Sequence, residues 1–402
     1  MSPADDLSSK GSRIFSTEDA MRLAKRRQPK LVHDFIEGAA GREVACARNC
    51  ARFDEITLQP RVMADVAERN LSTSFLEQAF DRPFGIAPMG MCNLAWPNAD
   101  LAFARAARGF NIPVCLSTAA SSSIEEMREW AGDNAWFQLY VGGPVEQALE
   151  MVERARKAGY QNLLLTVDVP QVSRRVRDLR NGFQMPFRIG PRQFWDFATH
   201  PRWAWASLQA GAPEPKNFKT AGGGSRFDRG ASRAGADWGF LDRLRGIWKG
   251  KLIIKGVTSA ADAQRIKQAG ADAIYVSNHG GRQLDSAPAA IDILPRIRSA
   301  VGADYPLIFD SGVRNGEDII KALALGADFV MLGRPFLHAA GAEGARGVNA
   351  LVRLLTEETS IVLAQTGQND IGKVSAAMLA HRHTDAWPDP IPALAAAAAN
   401  DC

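Results

Sequence analysis

Leu252-Ile253-Ile254-Lys255 and Ala273-Ile274-Tyr275-Val276-Ser277 are two short apolar runs separated by an amphipathic stretch over 258–269 that ends at Gly270. Each run is rich in β-branched or aromatic residues and reads as a buried strand. The stretch between them reads as a helix closed by a glycine. Strand, helix, strand in this order makes a parallel pair joined by a right-handed crossover. The pattern extends in both directions. Further runs at Phe84–Pro88, Pro113–Ser117, Trp136–Tyr140, Leu163–Asp168, Leu307–Asp310 and Phe329–Gly333 bring the total to eight. Helix-length segments fall at 98–109, 121–131, 144–158, 288–301 and 315–325, and Gly109, Gly159 and Gly326 precede the next strand as Gly270 does. Eight such repeats predict an α/β fold, a (β/α)8 TIM barrel. An open doubly wound sheet is the other arrangement that the alternation allows.

The ends of these strands carry the chemistry. They read Ala87-Pro88-Met89-Gly90, Ser117-Thr118, Gln138-Leu139-Tyr140, Thr166-Val167-Asp168, Lys255-Gly256, Ser277-Asn278-His279, Asp310-Ser311-Gly312 and Gly333-Arg334. Core packing does not require apolar runs to end in polar groups eight times, whereas a shared site at the C-terminal mouth of a barrel does. Gly312 and Gly333 with Arg314 and Arg334 follow strands seven and eight, where barrels hold phosphate groups. Lys255 points into the mouth, and a buried ammonium there needs an anion. His279 suits a general base, because its free pKa lies near neutrality. Arg282, three residues on, has the fork geometry for a carboxylate.

Bulk properties narrow the class. The chain has 402 residues, a net charge of +4 and no long basic block, so nucleic acid is not an expected partner. The five cysteines, Cys46, Cys50, Cys92, Cys115 and Cys402, include no CxxC pair, so no metal site is expected and reduced thiols are. No signal peptide and no membrane span are expected. Residues 1–80 read as a helical segment packed on the barrel, with loose residues at 1–12 and helices over 17–27 and 29–52. The barrel takes 81–380, and 381–402 is an Ala-rich tail. One crossover is too long: an insertion over about 178–236 follows strand four, before a helix at 237–249. It carries Phe194, Trp195, Phe197, Trp203 and Trp205, then Gly222-Gly223-Gly224-Ser225. A lid, a membrane-facing surface and simple packing on the barrel all suit those aromatics.

The string Ser277-Asn278-His279-Gly280-Gly281-Arg282-Gln283-Leu284-Asp285 resembles the signature of the FMN-dependent 2-hydroxy-acid dehydrogenases and oxidases, the family of glycolate oxidase and of lactate and mandelate dehydrogenases. The resemblance runs over about residues 14–380 and reaches every strand end. It implies FMN as cofactor. Pro88, Met89, Gly90, Ser117, Gln138, Thr166, Lys255 and Ser277 would line the flavin and ribityl. Asp310, Gly312, Arg314, Gly333 and Arg334 would hold the ribityl and phosphate. His279 would be the base and Asp168 its orienting partner. Tyr140 would bond the substrate C2 oxygen, and Arg175 and Arg282 would clamp the carboxylate. Whether the base takes the C2 proton or the hydroxyl proton is left open.

Three positions depart from the pattern or vary within it. Phe35 stands where the family usually has a Tyr, and the lost hydroxyl removes a bond to a charged group, about 1.5–3 kcal/mol. His33 lies nearby, but its direction on the helix does not suit it to replace that bond. Ala119 stands where glycolate oxidase has a Trp. Together they imply a 2-hydroxy acid bulkier than glycolate, with an alcohol or amine on a larger intermediate as the alternative. Gly90 stands where many oxidases of the family carry Ala, as in mandelate dehydrogenases, and favours a quinone or protein acceptor over oxygen. Family resemblance also implies a homo-oligomer, a tetramer, located in the cytoplasm, with peripheral contact at the inner face of a membrane as the alternative.

Overall fold

The computed structural model describes residues 7–183, 189–218 and 232–380. Three helices come first: α1 (Thr17–Arg27), α2 (Lys30–Glu37) and α3 (Val44–Glu55). Ser16 caps α1 by accepting from the Asp19 N–H, and the helix runs from acidic residues in its first turn to basic residues in its last, as the helix dipole favours. The single helix expected over 29–52 is two. The break follows Gly38, where the last carbonyls of α2 accept from arginines of the barrel instead of continuing the helix. Nor are residues 7–12 wholly loose: Leu7 packs on the core and sits against Gly109, whose added Cβ would lie 2.6 Å from it. Gly109 is therefore a packing glycine. The left-handed residue at that helix end is Asn111, with φ 48°.

Residues 1–80 are not all helical. An antiparallel hairpin, β1 (Thr73–Phe75) and β2 (Gln78–Phe80), precedes the barrel. Its Phe75 and Phe80 plug the barrel floor. Their ring centroids lie 6.3 and 6.2 Å from Trp136 and 5.4 Å each from Phe329.

All eight expected strands form. They are β3 (Phe84–Met89), β4 (Val114–Ser117), β5 (Ala135–Leu139), β6 (Asn162–Thr166), β7 (Lys251–Val257), β8 (Ala273–Val276), β9 (Leu307–Phe309) and β10 (Phe329–Leu332). Every neighbouring pair is parallel, and β10 pairs with β3 through Val330 and Phe84, so the sheet closes and the open alternative is excluded. The interior is filled by Trp136, Leu164, Ile253, Tyr275, Ile308, Phe329 and Met331, all essentially inaccessible, as a barrel of this size requires.

The outer helices are α4 (Ala99–Gly109), α5 (Ile124–Ala131), α6 (Val145–Lys157), α7 (Val176–Asn181), α8 (Pro191–Ala198), α9 (Pro201–Ala210), α10 (Trp238–Ile247), α11 (Ala260–Gln268), α12 (Ala290–Val301), α13 (Gly316–Ala324), α14 (Arg334–Glu343) and α15 (Ala345–Gln365). The described part of the insertion comprises α7–α9, the stretch over 211–218 and residues 232–236, and α10 is the expected crossover helix. The Gly222–Ser225 run and the tail over 381–402 lie outside the described residues. The insertion's aromatics divide. Trp203 is buried and its indole N–H donates to Leu94 O at 2.9 Å, and Phe197 packs on it. Phe194, Trp195 and Trp205 are 60–68% exposed.

Removing the plug tests the floor. Phe80→Ala takes away a ring that is 1% exposed, and its unfolding free energy in a denaturant titration should fall by about 3–5 kcal/mol.

Candidate active site

The turn after β8 is held from behind. The Asn278 amide exchanges two 2.8 Å bonds with the Asn49 amide of α3, and its oxygen also accepts from the Gly281 N–H. His279, Gly280 and Gly281 follow with φ of 58°, 63° and 74°. A Cβ at Gly281 would lie 2.4 Å from Cys46 N, and one at Gly280 2.7 Å from the Arg334 guanidinium. Only glycine fits at both. His279 has no such freedom, and its left-handed backbone is strain of the kind that collects at functional sites.

That turn aims the imidazole at two partners. Nδ1 lies 3.0 and 3.2 Å from the Asp168 carboxylate oxygens, and Nε2 lies 3.4 Å from the Tyr140 hydroxyl. Burial pushes Asp168 up, but His279 and Lys255 outweigh it and hold the carboxyl below its usual range. An ionised carboxylate only accepts, so Nδ1 carries the proton and the Nε2 lone pair faces the mouth. Burial is the main reason His279 itself lies below its ordinary 6.5. Asp168 opposes the shift, and Lys255 and Arg175 add to it. The imidazole is therefore neutral at neutral pH.

Lys255 is 4% exposed. Its Nζ donates to Ser277 Oγ at 2.9 Å, lies 3.4 Å from Asp310 Oδ2, and sits 4.8 Å above the Tyr275 ring. Burial alone would lower its pKa, but Asp310 and Asp168 raise it above the ordinary value, so it stays charged. Across β4, β5 and β6 a buried chain fixes the next groups. Ser117 Oγ donates to Gln138 Oε1 at 3.0 Å, and Gln138 Nε2 donates to Thr166 Oγ1 at 2.9 Å.

Two guanidinium groups are fixed to the end of α2. Arg282 Nη1 donates to Phe35 O, Ile36 O and Gly38 O at 3.1, 3.1 and 2.6 Å. Arg334, the first residue of α14, donates to Ile36 O, Glu37 O and Gly280 O at 3.2, 3.4 and 3.0 Å. Phe35 stacks on Phe183, with centroids 4.5 Å apart and planes 7° apart. His33 does not replace the missing hydroxyl. It points away toward His338, 5.8 Å between rings, and burial lowers its pKa to about 4.

One open cavity gathers most of the expected residues. Pro88, Met89, Gly90, Ser117, Tyr140, Arg175, Lys255, His279, Arg282, Asp310, Gly312, Arg314, Gly333 and Arg334 line it, with Phe35 and Ala119. Asp168, Gln138, Thr166 and Ser277 are not on its surface and act from behind through the bonds above. Sequence reading missed Met91, Val169, Val172, Phe183 and Arg233, which also line it. All but Met91 follow Asp168 in the long crossover, beyond the strand-end pattern.

The cavity is lined by the buried Lys255 cation, by Arg314 and by Arg334 at the N-terminus of α14, where backbone N–H groups favour an anion. The Ala87–Gly90 stretch lines it as well. A flat, electron-accepting ring with a phosphate arm fits this arrangement, which defines a flavin-dependent oxidoreductase barrel. The comparisons agree. The profile of the FMN-dependent dehydrogenase family matches residues 24–381. (S)-mandelate dehydrogenase of Pseudomonas putida is 39% identical over 367 residues, 90% of this chain and 93% of that protein. L-lactate dehydrogenase of Bartonella tribocorum is 36% identical over 387 residues, 93% of this chain and 99% of that protein. The crystal structure of the monotopic membrane protein (S)-mandelate dehydrogenase matches with a TM-score of 0.87 at 38% identity, covering 92% of this chain and 99% of the other. Mandelate oxidase with (S)-2-phenylpropionate matches with a TM-score of 0.77 at 32% identity, covering 90% and 96%. The chain belongs to the FMN-dependent dehydrogenase family, and it is an FMN-dependent 2-hydroxy-acid dehydrogenase or oxidase.

Lys255 and Asp310 are tested as a pair. Lys255→Met leaves the Asp310 carboxylate without its cation and should cost about 3–5 kcal/mol in denaturant unfolding. Lys255→Met with Asp310→Asn should recover most of that loss.

Proposed function

We propose that the chain oxidises a 2-hydroxy acid bulkier than glycolate to its 2-oxo acid, with His279 as base. The observation that carries this reading is the apolar wall formed by stacked Phe35 and Phe183 with Met91, Ala119, Val169 and Val172, in the same cavity as His279, Arg175 and Arg282. A small side chain would leave that wall against water, and an apolar one of aryl or branched type would cover it. FMN, when bound, supplies the two-electron acceptor. The arginines orient the carboxylate. Tyr140 donates to the C2 oxygen, Nε2 of His279 takes a proton, and Asp168 stabilises the imidazolium that results. Arg175 and Arg282 argue against an alcohol or amine substrate, which has no carboxylate to clamp.

Gly90 supports a quinone or protein as electron acceptor. An added Cβ there would meet Ala119 Cβ and O at 3.3 Å, so this wall is fitted to glycine. The exposed face of α8 and α9 supports peripheral contact with a membrane from the cytoplasmic side. Phe194, Trp195, Trp205 and Leu208 are each at least 60% exposed, and aromatic residues of this kind favour the headgroup layer. Among the described residues no helix is long and apolar enough to cross a membrane.

The substrate is tested by anaerobic titration of the flavin absorbance with 2-hydroxy acids from glycolate to mandelate and longer branched chains. Aryl or branched acids should bleach the flavin most efficiently, and equal efficiency with glycolate would overturn the size argument. His279→Gln should bind FMN and lose this bleaching. In the wild type kcat/KM should be level at neutral pH and fall in acid, because burial keeps His279 neutral and protonating it removes the base. Sedimentation with anionic lipid vesicles checks the membrane face, and Trp195→Ser with Trp205→Ser should release the protein.

A further inference from the structure

Arg233 lies at the end of the insertion, where nothing in the strand pattern marks it. Its backbone is pinned to the site. The Arg233 N–H donates to Pro170 O at 2.9 Å, two residues beyond Asp168. The backbone after it is pressed on β5's continuation: a Cβ on Gly235 would lie 3.0 Å from the Val141 side chain. The guanidinium carbon of Arg233 sits 4.8 Å from the centroid of the Tyr140 ring, and Arg233 lines the cavity. A guanidinium over a tyrosine face does two things. It fixes the ring plane, and its charge favours negative charge gathering near the hydroxyl. That hydroxyl is the one 3.4 Å from His279 Nε2. Burial raises the Tyr140 pKa, with Asp168 adding to the rise, and Lys255, Arg233 and Arg175 oppose it. Arg233 thus belongs to the set of cations that keep this phenol a good donor.

We infer that Arg233 is a positioning residue for substrate oxidation: it holds Tyr140 in place and strengthens its hydrogen bond to the C2 oxygen as the transition state forms. The inference rests on the 2-hydroxy-acid reading of the cavity and on Tyr140 as the group that meets the C2 oxygen. Because the effect grows with charge on that oxygen, it falls on kcat and not on ground-state binding. Arg175 and Arg282 remain the carboxylate clamp. Arg233 acts through the ring it covers.

The test uses the FMN-loaded full chain. Arg233→Leu should keep its flavin spectrum and thermal midpoint. It should lower kcat and kcat/KM together, by roughly five- to thirtyfold, the range for a desolvated cation–π contact. KM, and the Kd of an unreactive 2-oxo acid read from the flavin band, should change by less than about twofold. Arg233→Lys should restore part of the rate. Tyr140→Phe with Arg233→Leu should be no slower than Tyr140→Phe alone, since Arg233 has nothing to act on once the hydroxyl is gone. A raised KM at unchanged kcat would show that Arg233 holds substrate in the ground state, and would overturn the inference. Full additivity of the two substitutions would do the same. If Arg233→Leu does not fold, the comparison of Arg233→Lys and Arg233→Gln against Tyr140→Phe decides by the same criteria. Failure of the wild type to be reduced by any 2-hydroxy acid brings down the underlying reading and this inference with it. An active wild type with an unaffected Arg233→Leu brings down the inference alone.

Discussion

The last carbonyls of α2 hold the two halves of the site in register. A helix ends with carbonyl groups that have no partner within it, and its dipole favours a cation there. In this chain the partners are two arginines far away in sequence. Arg282 caps Phe35 O, Ile36 O and Gly38 O, and Arg334 caps Ile36 O and Glu37 O. One arginine belongs to the turn that carries His279, the other is the first residue of α14. Joining both to one helix end fixes the distance between them. It also places Phe35 on the cavity wall. His338 adds a further tie, with its Nε2 2.6 Å from the Glu37 carboxylate.

The electrostatics of the mouth follow from an excess of cations over carboxylates. Lys255, Arg175, Arg233, Arg282, Arg314 and Arg334 line it, against Asp310 on the surface and Asp168 behind. Such a mouth attracts a carboxylate and a phosphate and resists a further positive charge. That resistance is part of why His279 is neutral before substrate arrives. Asp168 opposes it and wins only in part. The anionic substrate and cofactor shift the balance toward the imidazolium. In its proposed role as base, His279 thus becomes easier to protonate when there is a proton to take.

Much of this was legible in the sequence because barrel strands announce themselves twice. A short apolar run gives the strand, and the polar residue that ends it gives the site. Both signals are local, and all eight strands form where they were read. What was not legible depends on distant partners. The break between α2 and α3 has no proline to mark it and relies on Arg282 and Arg334. The hairpin β1–β2 is only three residues a side, too short for alternation to show, and its role depends on Trp136 and Phe329 beneath it. The helices α14 and α15 follow the eighth strand, so no ninth strand frames them. Phe183 and Arg233 lie within the long crossover, where a chain position says nothing about proximity to the mouth.

That crossover explains how a barrel can carry so long an insertion without loosening its site. The segment leaves β6 just past Asp168 and returns just before α10. Its two ends meet at the Pro170–Arg233 bond. Nearby, Ser173 donates to Arg282 O, and its N–H donates to the Gln283 side chain at 3.4 Å. The neck is thus tied to the β8 turn, and beyond it the insertion gives the cavity Phe183. Closing a flexible loop costs only about 0.6 kcal/mol more for each doubling of its length, so exposed residues beyond the neck, unlike buried Trp203 or Phe183 on the cavity wall, can change at little expense to the barrel. An outer face with exposed tryptophans and an inner arginine over Tyr140 can then reside on one segment. The neck lets the first vary with what the surface meets, while the second is held at the Pro170 bond, over the ring it is proposed to position.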